Sequence, residues 1–142
     1  MKRAKKDWIL AILVTVLAAC ATVSDVPSLG EMLRQATGQN GRACVRSTEI
    51  RNYGTLKDDL VIIRGLSKHY VAVITPGCMD LDSPFRTRFR GGHGEICGGS
   101  MDSIITETDE CIIRQMFEFE DREHAFITLH SVLEERENLK NM

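Results

Sequence analysis

The sequence predicts an α+β fold that is mainly β: a small curled antiparallel sheet or partial barrel with a C-terminal helix. Three observations predict it. Compact runs rich in branched residues recur at 60–65, 69–75 and 111–119, bounded by Gly, Pro and Asp turn signals. A helical period closes the chain, with Phe126, Leu129, Val132 and Leu133 on one broad face. Four cysteines, Cys44, Cys78, Cys97 and Cys111, are distributed along the same strand-rich region. A two-layer α+β sandwich is the close alternative.

The N-terminus reads as an export signal. Lys2, Arg3, Lys5 and Lys6 precede an apolar stretch of 12 residues, 8–19. As a helix that stretch spans only about 18 Å, short of the roughly 30 Å hydrocarbon core of a bilayer, so a permanent span is a poor reading. Leu17-Ala18-Ala19-Cys20 resembles the lipobox of bacterial lipoproteins. That resemblance implies cleavage of a signal peptide 1–19 and membrane attachment through lipid on Cys20, whose thiol is the soft nucleophile of the segment. Ala21, rather than Asp, resembles lipoproteins sorted to the outer membrane, facing the periplasm.

Residues 20–42 are expected to be a lipid-anchored tether with a short helix, because Leu29, Met32, Leu33 and Ala36 recur at helical spacing before Gly38 and Gly41. A single domain is expected over 43–142. Residues 44–53 read as a first strand and 52–59 as turns, then 60–65 and 69–75 as a hairpin closed by Thr75-Pro76-Gly77. A polar loop leads to 85–90, and the glycines around His93 mark tight turns. Residues 103–106 form a short strand and 111–119 the last one. Asp121 is placed to cap a helix through about Glu137.

Without its first 19 residues the chain keeps 123 residues, enough for one core. Those residues carry 14 basic and 19 acidic side chains, a formal −5, which argues against nucleic acid as a partner. Removing Cys20 from the five cysteines leaves an even set, read as two disulfides in an oxidising compartment. Sequence leaves three pairings open; Cys78–Cys97 across a hairpin with Cys44–Cys111 is preferred. No close Cys-x2-Cys pair suggests zinc or a thioredoxin-like exchange site.

The cysteine arrangement resembles a family of small bacterial lipoproteins of unknown function. The resemblance is carried by Cys44, by 60–63, by 70–74 ending at Cys78, by Ile96-Cys97-Gly98 leading to Asp102 and Ile104, and by Cys111-Ile112. It spans roughly 43–119. Residues 97–102 stand where the family has a tighter turn. It implies a location and a disulfide scaffold, and it brings no catalytic residues with it.

The glycine cluster lacks the lysine of a phosphate-binding loop, so no cofactor is expected, and the four histidines match no metalloprotease spacing. On a strand, Arg86, Arg88 and Arg90 share one face. That stripe either meets an anionic partner, such as a lipid headgroup, a glycan or an envelope protein, or protects a sheet edge. The expected role is a non-enzymatic cell-envelope lipoprotein that binds or scaffolds an envelope component. A small periplasmic enzyme or metal-binding protein using His93, Glu95 and Asp102 is the alternative.

Overall fold

The computed structural model describes residues 26–57, 59–78, 81 and 87–142. The segment read as a signal peptide, Cys20 and Arg86 lie outside the described residues. Helix α1 (Leu29–Thr37) begins where the Ser28 side chain accepts the Glu31 N–H at 3.2 Å. It ends at Gly38, whose φ of 68° lets its N–H return to the Arg34 carbonyl at 2.9 Å. Leu29, Met32 and Leu33 are buried, whereas Ala36 stays exposed. Among the described residues, the expected short helix thus joins the core through Leu29, Met32 and Leu33.

Strands β1 (Cys44–Arg46), β2 (Asn52–Lys57), β3 (Leu60–Arg64), β4 (His69–Ile74), β5 (Arg88–Arg90), β6 (Glu95–Cys97), β7 (Ser103–Ile105) and β8 (Glu110–Phe119) follow, then helix α2 (Arg122–Lys140). Six of them form one antiparallel sheet in the order β2-β3-β4-β8-β7-β5, and β1 pairs with β6 in a separate ribbon. The expected mainly-β fold, curled sheet and C-terminal helix are all present. Asp121 caps α2 by accepting the His124 N–H at 2.7 Å, and the helix runs to Lys140 rather than Glu137.

The expected first strand, 44–53, is two strands separated by a 3-10 turn, Ser47–Glu49, and the residues assigned to turns are β2. β2 is an edge strand, Asn-Tyr-Gly-Thr-Leu-Lys, whose two large apolar side chains, Tyr53 and Leu56, are three residues apart and so give no two-residue alternation to reveal it. Pairing with β3, not propensity, holds it extended.

Strand alternation gives the sheet two apolar faces. Leu60, Val71, Phe117 and Phe119 point to one side and pack with Leu33 of α1 and with Ala125, Leu129 and Val132 of α2. Val61, Ile63, Ala72, Ile74 and Ile113 point to the other, where Val45 and Ile96 of the β1–β6 ribbon cover them. The sheet curls toward that second face until its two edge strands meet. Tyr53 of β2 and Phe89 of β5 stack edge-to-face with ring centroids 5.6 Å apart, which makes the sheet a half-barrel.

β8 carries the molecule's main irregularity. Its partner on β4 shifts from Val73–Gln115 to Ile74–Ile113, so Arg114 is an extra residue and the strand bulges. The bulge changes the phase of burial: Ile113 and Met116 both enter the ribbon-side core. Beside the bulge, segment 39–43 replaces β7 as the outer neighbour of β8. Gln39 exchanges two hydrogen bonds with the Glu118 backbone, at 2.7 and 2.8 Å, as a strand residue would. Met116 N–H donates to Gly41 O at 2.8 Å and Ala43 N–H to Met116 O at 3.1 Å.

The two disulfides are Cys44–Cys97 and Cys78–Cys111, not the expected Cys78–Cys97 and Cys44–Cys111. The expected pairing assumed that the strands before Cys78 and around Cys97 form a hairpin. Instead β6 pairs with β1, which sets Cys44 directly opposite Cys97. β8 lies against β4 and runs antiparallel to it, so the end of β4 meets the beginning of β8 and Cys78 meets Cys111.

Candidate functional site

Helix α2 packs over β4 and β8, and the helix-side core reaches Leu60 of β3, while Asn52 and Gly54 of β2 and Arg64 at the far end of β3 stay exposed on the same face. A cleft of about 570 Å³ occupies that end, within the size range of small-molecule sites. Sheet register builds its floor. Asn52, Arg64 and His69 are direct partners across β2, β3 and β4 and form one polar row. Gly54 and Ile62 are partners in the adjacent row, and Leu56 lies further along β2. Cross-strand partners stand about 5 Å apart, so Arg64 sits between Asn52 and His69. Arg122 and Phe126, one helical turn apart on α2, form the wall. A β-carbon at Gly54 would meet nothing within 4 Å, which keeps the middle of the floor low.

The cleft's electrostatics contrast with the acidic chain. Arg64 and Arg122 are both exposed, and among the described residues no carboxylate lies within 4 Å of either. The Arg122 guanidinium lies 5.0 Å above the Phe126 ring, an arrangement that orients it without neutralising it. Nδ1 of His69 is buried and lacks a hydrogen-bond partner within the protein. Two unpaired guanidiniums beside a histidine favour a carboxylate or phosphate.

The residues singled out in the sequence are placed elsewhere. Arg88 and Arg90 are exposed on β5, an edge strand, while Phe89 turns into the core. Arg90 is ion-paired with Glu110, which leaves Arg88 as the exposed unpaired member of the described part of the stripe. His93 is exposed in a left-handed conformation, φ 57°. Asp102 is buried, and its carboxylate accepts the Cys97 N–H at 2.7 Å, fixing the turn between β6 and β7. His93, Glu95 and Asp102 do not form a ligand cluster. The donor atoms that converge among the described residues belong to Cys44, Glu95 and Cys97, and both sulfurs are bound in a disulfide. Replacing Asp102 by alanine is therefore expected to remove about 1–3 kcal/mol of stability by leaving the part-buried Cys97 N–H unmatched, as read by urea denaturation. Unchanged stability would mean that water replaces the carboxylate at no cost.

A second charged cluster lies on the ribbon side. Lys68 pairs with Glu118 and approaches Glu120 at 3.6 Å. Hydrogen bonding to Glu118 holds the Lys68 ammonium above its usual pKa, and burial raises that of the Tyr70 phenol nearby.

The cleft residues escaped the sequence reading because they come from four separate elements and share no motif. Only the register and the path of α2 bring them together. Residues 1–127 match a family model described as a family of unknown function (DUF6491). The matched region takes in every cleft residue and both disulfides, and ends within the first two turns of α2. No curated protein and no solved structure matches the chain.

Proposed function

The chain belongs to the DUF6491 family of unknown function, and on that footing we propose that it is a non-catalytic, lipid-anchored envelope protein whose domain binds another envelope component through the β2–β3–α2 cleft. The observation that carries this reading is the cleft itself, an open concavity presenting unpaired cations beside apolar side chains. Two disulfides in so small a domain support an oxidising compartment. The segment before Cys20 supports export, and Cys20 supports attachment by acyl chains, several of which hold a protein durably on a bilayer. No helix among the described residues is long and apolar enough to cross a membrane. Ala21 favours the outer membrane, facing the periplasm.

Two measurements test the reading. Metabolic labelling with a fatty-acid analogue is expected to mark the native chain and to disappear with Cys20→Ala, which moves the protein out of the membrane fraction. An unlabelled chain, or membrane association that survives the substitution, would refute the anchor. A photoreactive residue at Leu56, on the cleft rim, is expected to cross-link in intact cells. The same group at Leu66, which is exposed on the β3–β4 connection, is not. Equal labelling at both positions would remove the cleft as the binding face.

A further inference from the structure

Polarity within the cleft is sorted by register. One end of the floor is the polar row Asn52–Arg64–His69; the next row is Gly54 and Ile62, and Leu56 lies beyond them. Phe126 adds an apolar wall one turn from Arg122. A simple anion site would need the guanidiniums and little else, and a simple apolar groove would not keep two arginines unpaired at its end. Leu56 is 40% exposed although it lines a concave surface, so its burial by a ligand would be favourable.

Resting on the binding role proposed above, we infer that the cleft holds a single-chain anionic amphiphile, its carboxylate or phosphate head on Arg64 and Arg122 and its apolar body along Gly54, Ile62, Leu56 and Phe126. Guanidinium forks suit both head groups, and His69 and Asn52 add hydrogen-bonding capacity beside Arg64. The glycine floor leaves width for a chain, since no side chain rises between Asn52 and Leu56 on that face of β2. Leu29 lies nine residue steps after Cys20, a reach of at most about 30 Å. A lipid on Cys20 would therefore keep the domain close to a membrane, where such amphiphiles concentrate.

The test is calorimetric titration of the membrane-extracted native protein in phosphatidylcholine nanodiscs, with empty nanodiscs as the baseline. The probes are octyl phosphate, octanoate, octanol and inorganic phosphate. Saturable binding of octyl phosphate or octanoate, weakening with salt, is the expected result. Arg64→Gln and Arg122→Gln are each expected to weaken it about tenfold, Arg122→Lys less, and Leu56→Glu at least as much. Both arginines and Leu56 are exposed, so these variants should melt with the parent. Equal binding of inorganic phosphate would show a site for free anion and overturn the amphiphile. Equal binding of octanol would overturn the anionic head, and absence of saturable binding would overturn both. If Leu56 cross-links an envelope protein in cells while no amphiphile binds, this inference fails and the binding role stands. An unacylated chain that binds octyl phosphate would separate them the other way.

Discussion

Gly98→Ala is expected to lose about 3 kcal/mol or more of stability, and with it roughly 12 °C or more of melting temperature. A β-carbon on Gly98 would lie 2.2 Å from the Gly41 carbonyl oxygen and 2.3 Å from the Met116 nitrogen. Those two atoms are themselves hydrogen-bonded at 2.8 Å, so the methyl would wedge into the bond that holds segment 39–43 against the β8 bulge. Gly98 also donates to Ala43 O at 3.0 Å, so the backbone on three sides would have to move. Overpacking alone costs about 1–3 kcal/mol, and each buried backbone group left unmatched adds a similar amount.

Two glycines calibrate the effect. At Gly30 the new carbon would meet the Gln115 side-chain amide, which can swing away, and at Gly54 it would meet nothing. The expected order of loss is Gly98→Ala, then Gly30→Ala, with Gly54→Ala near the parent, measured by thermal and urea unfolding. A Gly98→Ala variant melting within a few degrees of the parent would mean that the clamp on the bulge contributes little.

The second large effect is expected from the disulfides, and the two should not be equal. By the chain-entropy model each restrains the unfolded chain by about 4 kcal/mol, for separations of 33 residues in Cys78–Cys111 and 53 in Cys44–Cys97. Loop length alone favours the second by only about 0.4 kcal/mol. Burial acts in the opposite direction and is larger. Cys111 is fully buried in the ribbon-side core with Cys78 packed against it, whereas Cys44 is exposed. Losing a buried sulfur leaves a cavity that costs on the order of 1 kcal/mol or more. Cys78→Ala with Cys111→Ala is therefore expected to destabilise the protein more than Cys44→Ala with Cys97→Ala. Graded reduction followed by alkylation and peptide mass spectrometry should open Cys44–Cys97 first, because its sulfurs are the more accessible. The reverse order in either experiment would contradict the burial argument.

The sequence by itself determined the class of fold and its strongest elements. Leu60–Arg64, His69–Ile74 and the end of β8 announce themselves because strands covered on both faces need compact runs of branched and aromatic residues. Asp121 and Gly38 mark helix ends because orphaned backbone groups there need a carboxylate acceptor or a left-handed residue. Cysteine number indicated two disulfides. Tertiary structure alone decided which cysteines pair, because pairing follows strand order, and the β1–β6 ribbon and the β4–β8 contact join segments far apart in the chain. It also decided that β2 is a strand, since an edge is held by its neighbour and not by its own side chains. The cleft belongs wholly to this second category. Asn52, Arg64 and His69 become a row only through register, and Arg122 joins them only through the path of α2.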